Sequence, residues 1–166
     1  MTARSLSSVD PRYAIDYRNN FFFPVARDEL WKVAGIVPLY ERWWPWMRDV
    51  RLYGTDIEEG SALEFAIATP LPYRMQVRVD FERVISAEEI HARVEGDLDG
   101  TAHVLLREDQ DGTVVSLFWR VEMRQRGMRT LARIAGPLVR RSHDWAVGVA
   151  LRGFRKHLSR LDESPG

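Results

Sequence analysis

The feature that most constrains this chain is an alternation of apolar and polar residues that begins near residue 48 and continues to about residue 125. Because successive side chains of a β-strand point to opposite faces, such a period of two predicts strands. The alternation is clearest over 73–82 and recurs over 63–67, 90–95 and 115–124. One face of each predicted strand is apolar and the other is polar, which is typical of an antiparallel sheet that is covered on one side only.

Turn-forming residues separate these predicted strands at short intervals. The turn signals are Glu59-Gly60, Thr69-Pro70-Leu71-Pro72, Ser86-Ala87, Asp97-Leu98-Asp99-Gly100 and Asp111-Gly112. Spacings of roughly 8 to 14 residues suit β-hairpins, whereas parallel strands need longer helical crossovers. The spacing therefore predicts a meander of hairpins.

The N-terminal part of the chain predicts one strand and two short helices. Residues 13–18 alternate bulky and polar side chains, as a strand does. Residues 25–34 change to a helical period, with two acidic residues in the first turn, where the helix dipole favours them. Gly35 and Pro38 break this helix, and residues 39–43 predict a second one.

The C-terminal part predicts one long helix that starts at Pro137, because proline suits the first helical position. At 100° per residue, one face collects six apolar residues and a histidine: Val139, His143, Val147, Ala150, Phe154, Leu158 and Leu161. About 24 residues give a helix of roughly 36 Å, long enough to cross a whole sheet. The predicted fold class is therefore α+β, in the order strand, two short helices, six strands and one long helix.

Composition limits the class of protein further. A chain of 166 residues fits one domain, which we place at 11–162 after a flexible tail at 1–10. The absence of cysteine excludes disulfides, thiolate catalysis and cysteine-based metal sites. No segment approaches the roughly 18 apolar residues of a membrane span, and no targeting segment is recognisable, so we expect a cytoplasmic protein that is not integral to the membrane.

The charge is balanced overall but uneven along the chain. The 24 basic and 24 acidic residues give no net field that would favour nucleic acid. Basic residues are concentrated between Arg120 and Arg160, which indicates either the solvated face of a helix or a contact with an acidic partner or membrane surface. Trp145, nearly opposite His143 on the predicted helix, indicates either a partner or homodimer contact, or packing against 128–135.

Several local strings resemble the START-like (SRPBCC, helix-grip) superfamily, which includes polyketide cyclase/dehydrase, lipid-transport and Bet v 1-like proteins. Residues 23–31 (FPVARDELW) resemble its passage from the first strand into a helix, and residues 40–45 (YERWWP) resemble the segment that follows. Residues 96–100 (GDLDG) and 119–121 (WRV) match strings of uncharacterised bacterial members. Residues 137–145 (PLVRRSHDW) resemble the start of the C-terminal helix in one subgroup, with serine in place of the usual asparagine.

The resemblance implies a helix-grip fold, in which a curved antiparallel sheet of about seven strands wraps around the C-terminal helix. It implies a small hydrophobic ligand, lipid- or polyketide-like, bound in a cavity between sheet and helix without a cofactor. The alternative is an enzyme similar to polyketide cyclases, aromatases or dehydratases, with His143 as general acid or base. Whether the protein is a carrier or an enzyme stays open, and the sequence does not name the ligand.

The candidate site residues are side chains predicted to face this cavity. They are Trp43, Phe65, Tyr73, Met75, Phe81, Trp119, His143, Val147 and Phe154. His143 has two possible roles, proton transfer or a core histidine satisfied by one partner. No metal site is expected, because His143 and His157 lie about 21 Å apart along the predicted helix. His91 and His103 could come close across adjacent strands, but both are predicted to face solvent. Motifs for nucleotide binding, serine hydrolysis and zinc proteolysis are absent.

Overall fold

The computed structural model describes residues 14–68, 74–124, 152, 155 and 156. The predictions for the N-terminal tail, for Tyr73 and for His143, Val147 and Phe154 on the C-terminal helix lie outside these residues. Within the described ranges, no helix is long and apolar enough to cross a membrane.

Seven antiparallel strands form a single sheet in the order β1-β7-β6-β5-β4-β3-β2. Strands β2 to β7 form a meander, and β1 pairs with β7. The strands and helices are β1 (Ala14–Phe23), α1 (Arg27–Ala34), a 3-10 turn (Val37–Leu39), α2 (Tyr40–Trp43), β2 (Met47–Tyr53), β3 (Ala62–Ala68), β4 (Arg74–Ile85), β5 (Glu89–Gly96), β6 (Leu98–Asp109) and β7 (Gly112–Met123). The seven-stranded sheet and the two short helices confirm this part of the predicted fold.

The register of the sheet explains why one face is apolar. One row of directly opposed residues crosses all seven strands: Leu52, Leu63, Val79, Val94, Gly100, Val121 and Ile15. We call the face that carries this row the inner face and the opposite one the outer face. The two helices pack on the inner face, where Leu30 and Val33 of α1 and Tyr40 and Trp43 of α2 join the buried core. The alternation over residues 63–67, 75–81, 90–94 and 115–123 therefore predicted the correct faces of β3, β4, β5 and β7.

The first strand is longer than the sequence indicated. The alternation predicted a strand over 13–18, whereas β1 continues to Phe23. Pairing with β7 extends along the whole strand, from Ala14 opposite Glu122 to Phe23 opposite Thr113. Main-chain hydrogen bonds to a long neighbour thus hold the polar Asn19-Asn20 stretch in a strand that local propensity alone does not favour.

The predicted loop at 97–100 is wrong in extent. The chain reverses within Gly96-Asp97, and β6 begins at Leu98. Gly96 has a φ of 110°, and the Asp97 carboxylate accepts a hydrogen bond of 2.8 Å from the Gln76 amide. Gly100 lies inside β6. A side chain does not fit at this position, because a Cβ would be 2.0 Å from the Arg120 carbonyl oxygen. This glycine permits close strand approach and does not form a turn.

Candidate functional site

Five of the predicted site residues are described, and all five lie with the inner-face side chains. Trp43 and Phe81 are almost fully buried, with 3% and 7% of their surface exposed, and both belong to the core between the helices and the sheet. Phe65, Met75 and Trp119 are half-buried and keep accessible surface. Phe65 contacts both buried clusters of the inner face, one centred on the helices and one on Val77, Val94 and Val121.

A continuous apolar surface extends around these three residues. The inner-face side chains that remain half-buried include Ile15, Phe21, Phe65, Ile67, Met75, Val79, Leu98, Val104, Val115, Leu117 and Trp119. Aliphatic and aromatic groups without charge can bind an apolar molecule through its surface area. The described part of this face is therefore suited to binding.

Four aromatic residues in and beside α2 form a cluster at one end of the inner face: Tyr40, Trp43, Trp44 and Trp46. The ring centroids of Tyr40 and Trp44 are 4.5 Å apart, and those of Trp44 and Trp46 are 6.3 Å apart in a stacked arrangement. The Tyr40 hydroxyl donates a hydrogen bond of 2.5 Å to the Ala34 carbonyl, and burial raises the pKa of this phenol. The buried indole nitrogens of Trp44 and Trp46 have no hydrogen-bond partner among the described residues.

The end of β1 meets the basic C-terminal part of the chain. Arg155 donates a hydrogen bond of 3.0 Å to the Phe22 carbonyl, and its guanidinium lies 5.6 Å from the centre of the Phe23 ring. Phe23 is a core residue of the inner face. At least one arginine of the predicted basic helix therefore contacts the sheet and not only solvent.

The outer face carries charged side chains in cross-strand pairs. Arg120 Nη2 lies 2.6 Å from Asp16 Oδ2, and Arg78 Nη1 lies 2.7 Å from Glu64 Oε1. These arginines hold the pKa of the Asp16 and Glu64 carboxyl groups below their ordinary values, mainly through hydrogen bonds to the charged form. Such exposed pairs contribute little stability individually, so they indicate a solvated surface.

A second cluster on the outer face brings together Glu89, His91 and His103. Both histidine Nε2 atoms lie 2.9 Å from the same oxygen of Glu89, and the imidazole rings stack with centroids 3.9 Å apart. The hydrogen bonds from His91 and His103 lower the pKa of the Glu89 carboxyl group. Sequence reasoning placed both histidines on this face correctly but did not include Glu89. Its position two residues before His91 on the same strand was the available signal.

An open groove of about 400 Å³ lies next to this cluster. His103, Phe118 and Arg120 are among its lining residues, which come from β1, β6 and β7. Most of its lining side chains lie on the outer face, and Trp119 is the one described residue of the predicted ligand site that also lines it.

No protein-family profile and no curated protein matches this sequence. Solved structures do match it. TTHA0849 from Thermus thermophilus has a TM-score of 0.69 at 12% identity, covering 90% of this chain and 100% of that one. Ara h 8.0201 has a TM-score of 0.64 at 10% identity, covering 89% and 99%. The di-domain ARO/CYC StfQ from the steffimycin biosynthetic pathway has a TM-score of 0.69 at 12% identity, covering 92% of this chain and 53% of that one.

The chain has the START-like, Bet v 1-type fold. The resemblance stated from the local strings is thus confirmed at the level of the fold, over about nine-tenths of the chain. Identities of 10–12% carry no activity or ligand with them. The roles of all nine predicted site residues stay predictions.

Proposed function

We propose that this START-like protein binds a small hydrophobic ligand, lipid- or polyketide-like, against the inner face of its sheet. The observation that carries the proposal is the set of apolar side chains on that face that remain half-buried. Burial of apolar surface stabilises a complex by about 25 cal/mol per Å², so a continuous apolar face favours an apolar occupant. The predicted C-terminal helix would cover the ligand from the other side.

The aromatic cluster at α2 adds a preference to this proposal. A buried N–H group without a partner costs roughly 1–3 kcal/mol, and a ligand oxygen can relieve that cost. The indole groups of Trp44 and Trp46 therefore favour a ligand that has at least one hydrogen-bond acceptor at this end of the sheet. Lipid carboxyl groups and polyketide carbonyl groups both meet this requirement.

The test compares the two faces of the sheet. Met75→Ala removes a half-buried inner-face side chain that does not pack on the buried clusters, and Phe118→Ala removes an aromatic ring from the outer face as the matched control. We expect Met75→Ala to weaken binding of a fluorescent naphthalene sulfonate probe about tenfold, or roughly 1.4 kcal/mol, while Phe118→Ala leaves it unchanged. Fluorescence titration, with displacement by a long-chain fatty acid and by an anthraquinone, measures this. Equal affinity in all three proteins, or loss only in Phe118→Ala, contradicts the proposal.

The likeness to an aromatase/cyclase favours a second candidate function. In this second function the protein is an enzyme: the same apolar face binds a polyketide-like chain, and His143 transfers a proton during aldol condensation or loss of water. We expect His143→Ala to reduce turnover of such a substrate by about 10²-fold or more while leaving its binding intact. Single-turnover assays together with the probe titration separate the two effects. Unchanged turnover in His143→Ala removes this role and leaves the carrier function.

The basic C-terminal residues support a proposal about partners. Arg152, Arg155 and Lys156 are exposed, although Arg155 also donates a hydrogen bond to the Phe22 carbonyl, and their positive charge suits an acidic partner or a contact in a homodimer. Light scattering over a range of protein concentrations, at low and high salt, distinguishes a monomer from an electrostatically assembled dimer.

A further inference from the structure

The cluster of Glu89, His91 and His103 has the composition and geometry of a transition-metal site. His91 and His103 are directly opposed on β5 and β6, and Glu89 is two residues before His91 on the same face. One ligand atom from each of the three residues lies within 4.8 Å of the other two. Zn²⁺ at about 2.0–2.1 Å from nitrogen and oxygen ligands needs them roughly 3.3–3.5 Å apart in tetrahedral geometry. The two distances of 2.9 Å, from Glu89 Oε1 to each Nε2 atom, are within about 0.6 Å of that spacing.

The sheet fixes the three residues before any ion binds. Paired main chains of β5 and β6 hold the Cα positions, and the stacked imidazole rings, 3.9 Å apart, present both Nε2 atoms to one point. That point is marked by Glu89 Oε1, which lies 2.9 Å from each Nε2 atom. Only 20% of the Glu89 side chain is exposed, so its position is also restrained by its surroundings. A ligand set that is already converged loses little conformational entropy on binding.

We propose that Glu89, His91 and His103 bind a divalent ion of the zinc class on the outer face of the sheet. Two imidazoles and one carboxylate form a ligand set that zinc uses in proteins, and it leaves a fourth position for water. The exposed fractions of the His91 and His103 side chains, 42% and 30%, provide access for the ion and room for that water.

Binding changes which ring nitrogens carry protons. An ionised Glu89 carboxylate can only accept, so the ring nitrogen that faces it carries a proton in each histidine. An ion bound at Nε2 needs the lone pair of that nitrogen, so the proton is displaced to Nδ1 of the same ring or to water. No oxidant or reductant is required.

Arg83 is the charged neighbour that opposes the ion. Its Nη2 atom lies 3.9 Å from Glu89 Oε2, on the carboxylate oxygen that does not contact the histidines. Glu89 Oε2 therefore faces Arg83, and Glu89 Oε1 faces the two histidines. Removing the guanidinium with Arg83→Gln lowers local positive charge, so we expect zinc affinity to stay the same or increase.

The first experiment is a zinc titration of the tag-free chain against a chromogenic chelator. We expect about one ion per chain, with affinity reduced at least tenfold in His91→Ala, His103→Ala and Glu89→Gln. His157→Ala is the comparison variant, since it replaces one of the chain's four histidines that is not among the proposed ligands. Mg²⁺ in excess is not expected to compete, because imidazole ligands disfavour it. Zinc binding that is absent, or that is unchanged by the three cluster variants, overturns the proposal.

A second measurement needs no variant and therefore covers the case in which a substitution prevents folding. Diethyl pyrocarbonate modifies accessible imidazole nitrogens, and mass spectrometry of peptides reports each histidine separately. We expect Zn²⁺ to protect His91 and His103 together and not to change the reactivity of His157. Equal reactivity of His91 and His103 with and without Zn²⁺ overturns the proposal. The proposed apolar ligand uses the other face, so either proposal can fail without the other.

Discussion

Arg78 shows how a single side chain organises the exposed face of the sheet. Its guanidinium contacts Glu64 on the neighbouring strand at 2.7 Å and Asp80 on its own strand at 2.8 Å, and it also lies over the ring of Tyr53, 5.4 Å from its centre. The hydrogen bond from Arg78 is the largest cause of the lowered pKa of Glu64, and the Tyr53 hydroxyl adds a second bond. A residue that sequence analysis treats only as polar thus holds three neighbours in place.

This contact predicts a measurable change in the Glu64 titration. In Arg78→Met the pKa of Glu64 should rise toward its ordinary value of 4.5, because the main stabiliser of the carboxylate is gone. Carboxyl-carbon NMR as a function of pH measures it. Arg83→Met, on the same strand but away from Glu64, is the control and should leave the value unchanged.

The lowered pKa of Glu64 also predicts how the stability of the fold depends on pH. A carboxyl group with a lowered pKa in the folded state stabilises the fold at pH above about 4.5, and this contribution is lost as pH falls through the lowered value. The stability difference between the parent and Arg78→Met should therefore be present at neutral pH and shrink in acid. A difference that grows in acid would contradict this assignment.

At the scale of elements, the close approach of β6 and β7 depends on Gly100. A Cβ at this position would be 2.0 Å from the Arg120 carbonyl oxygen and 2.7 Å from the Val121 Cα, and both obstacles are main-chain atoms. Side chains can rotate away from an added methyl group, but paired strands cannot separate without losing ladder hydrogen bonds. The pairing of β6 with β7 therefore leaves no room for a side chain at position 100.

Gly100→Ala should lower the free energy of unfolding by about 1–3 kcal/mol, the usual cost of forcing extra volume into a packed site. Urea denaturation followed by circular dichroism measures the change. Gly35→Ala is the control, because its nearest neighbours are 3.5 Å away and its φ of −73° suits alanine. Equal stability of the two variants would show that β6 and β7 adjust more freely than the paired main chains indicate.

At the scale of the whole molecule, the two faces of the sheet have different chemistry. The inner face is apolar, packs against α1 and α2, and remains half-buried over much of its area. The outer face carries cross-strand ion pairs and the cluster of Glu89, His91 and His103. A seven-stranded antiparallel sheet can keep these environments separate, because successive residues of a strand lie on opposite faces.

Binding on the inner face should stabilise the whole domain. A ligand that binds only the folded state adds RT ln(1 + [L]/Kd), about 2.7 kcal/mol at a concentration roughly one hundred times Kd. We therefore expect Tm to rise steadily with the concentration of a bound fatty acid or anthraquinone, and to rise less in Met75→Ala. Thermal unfolding monitored by intrinsic tryptophan fluorescence measures this. A Tm that does not respond while the ligand remains bound would indicate equal binding to the unfolded chain.

The sequence by itself determined the predominance of antiparallel strands, the two short helices and the face on which the alternating residues of β3, β4, β5 and β7 lie. Periodicity is a local property, so the assignment of Met75, Trp119 and His91 to their faces needed no knowledge of neighbours. The strings around residues 23–31 and 40–45 also indicated the START-like fold correctly.

The tertiary structure decided which residues on a face become neighbours. Register places His91 opposite His103 and brings Glu89 against both, while packing puts Trp43 and Phe81 in the core. Strand pairing also extends β1 to its full length and continues β6 through the predicted turn. A period of two specifies the face but not the partner, because the partner depends on turn geometry and on main-chain pairing between segments far apart in the chain.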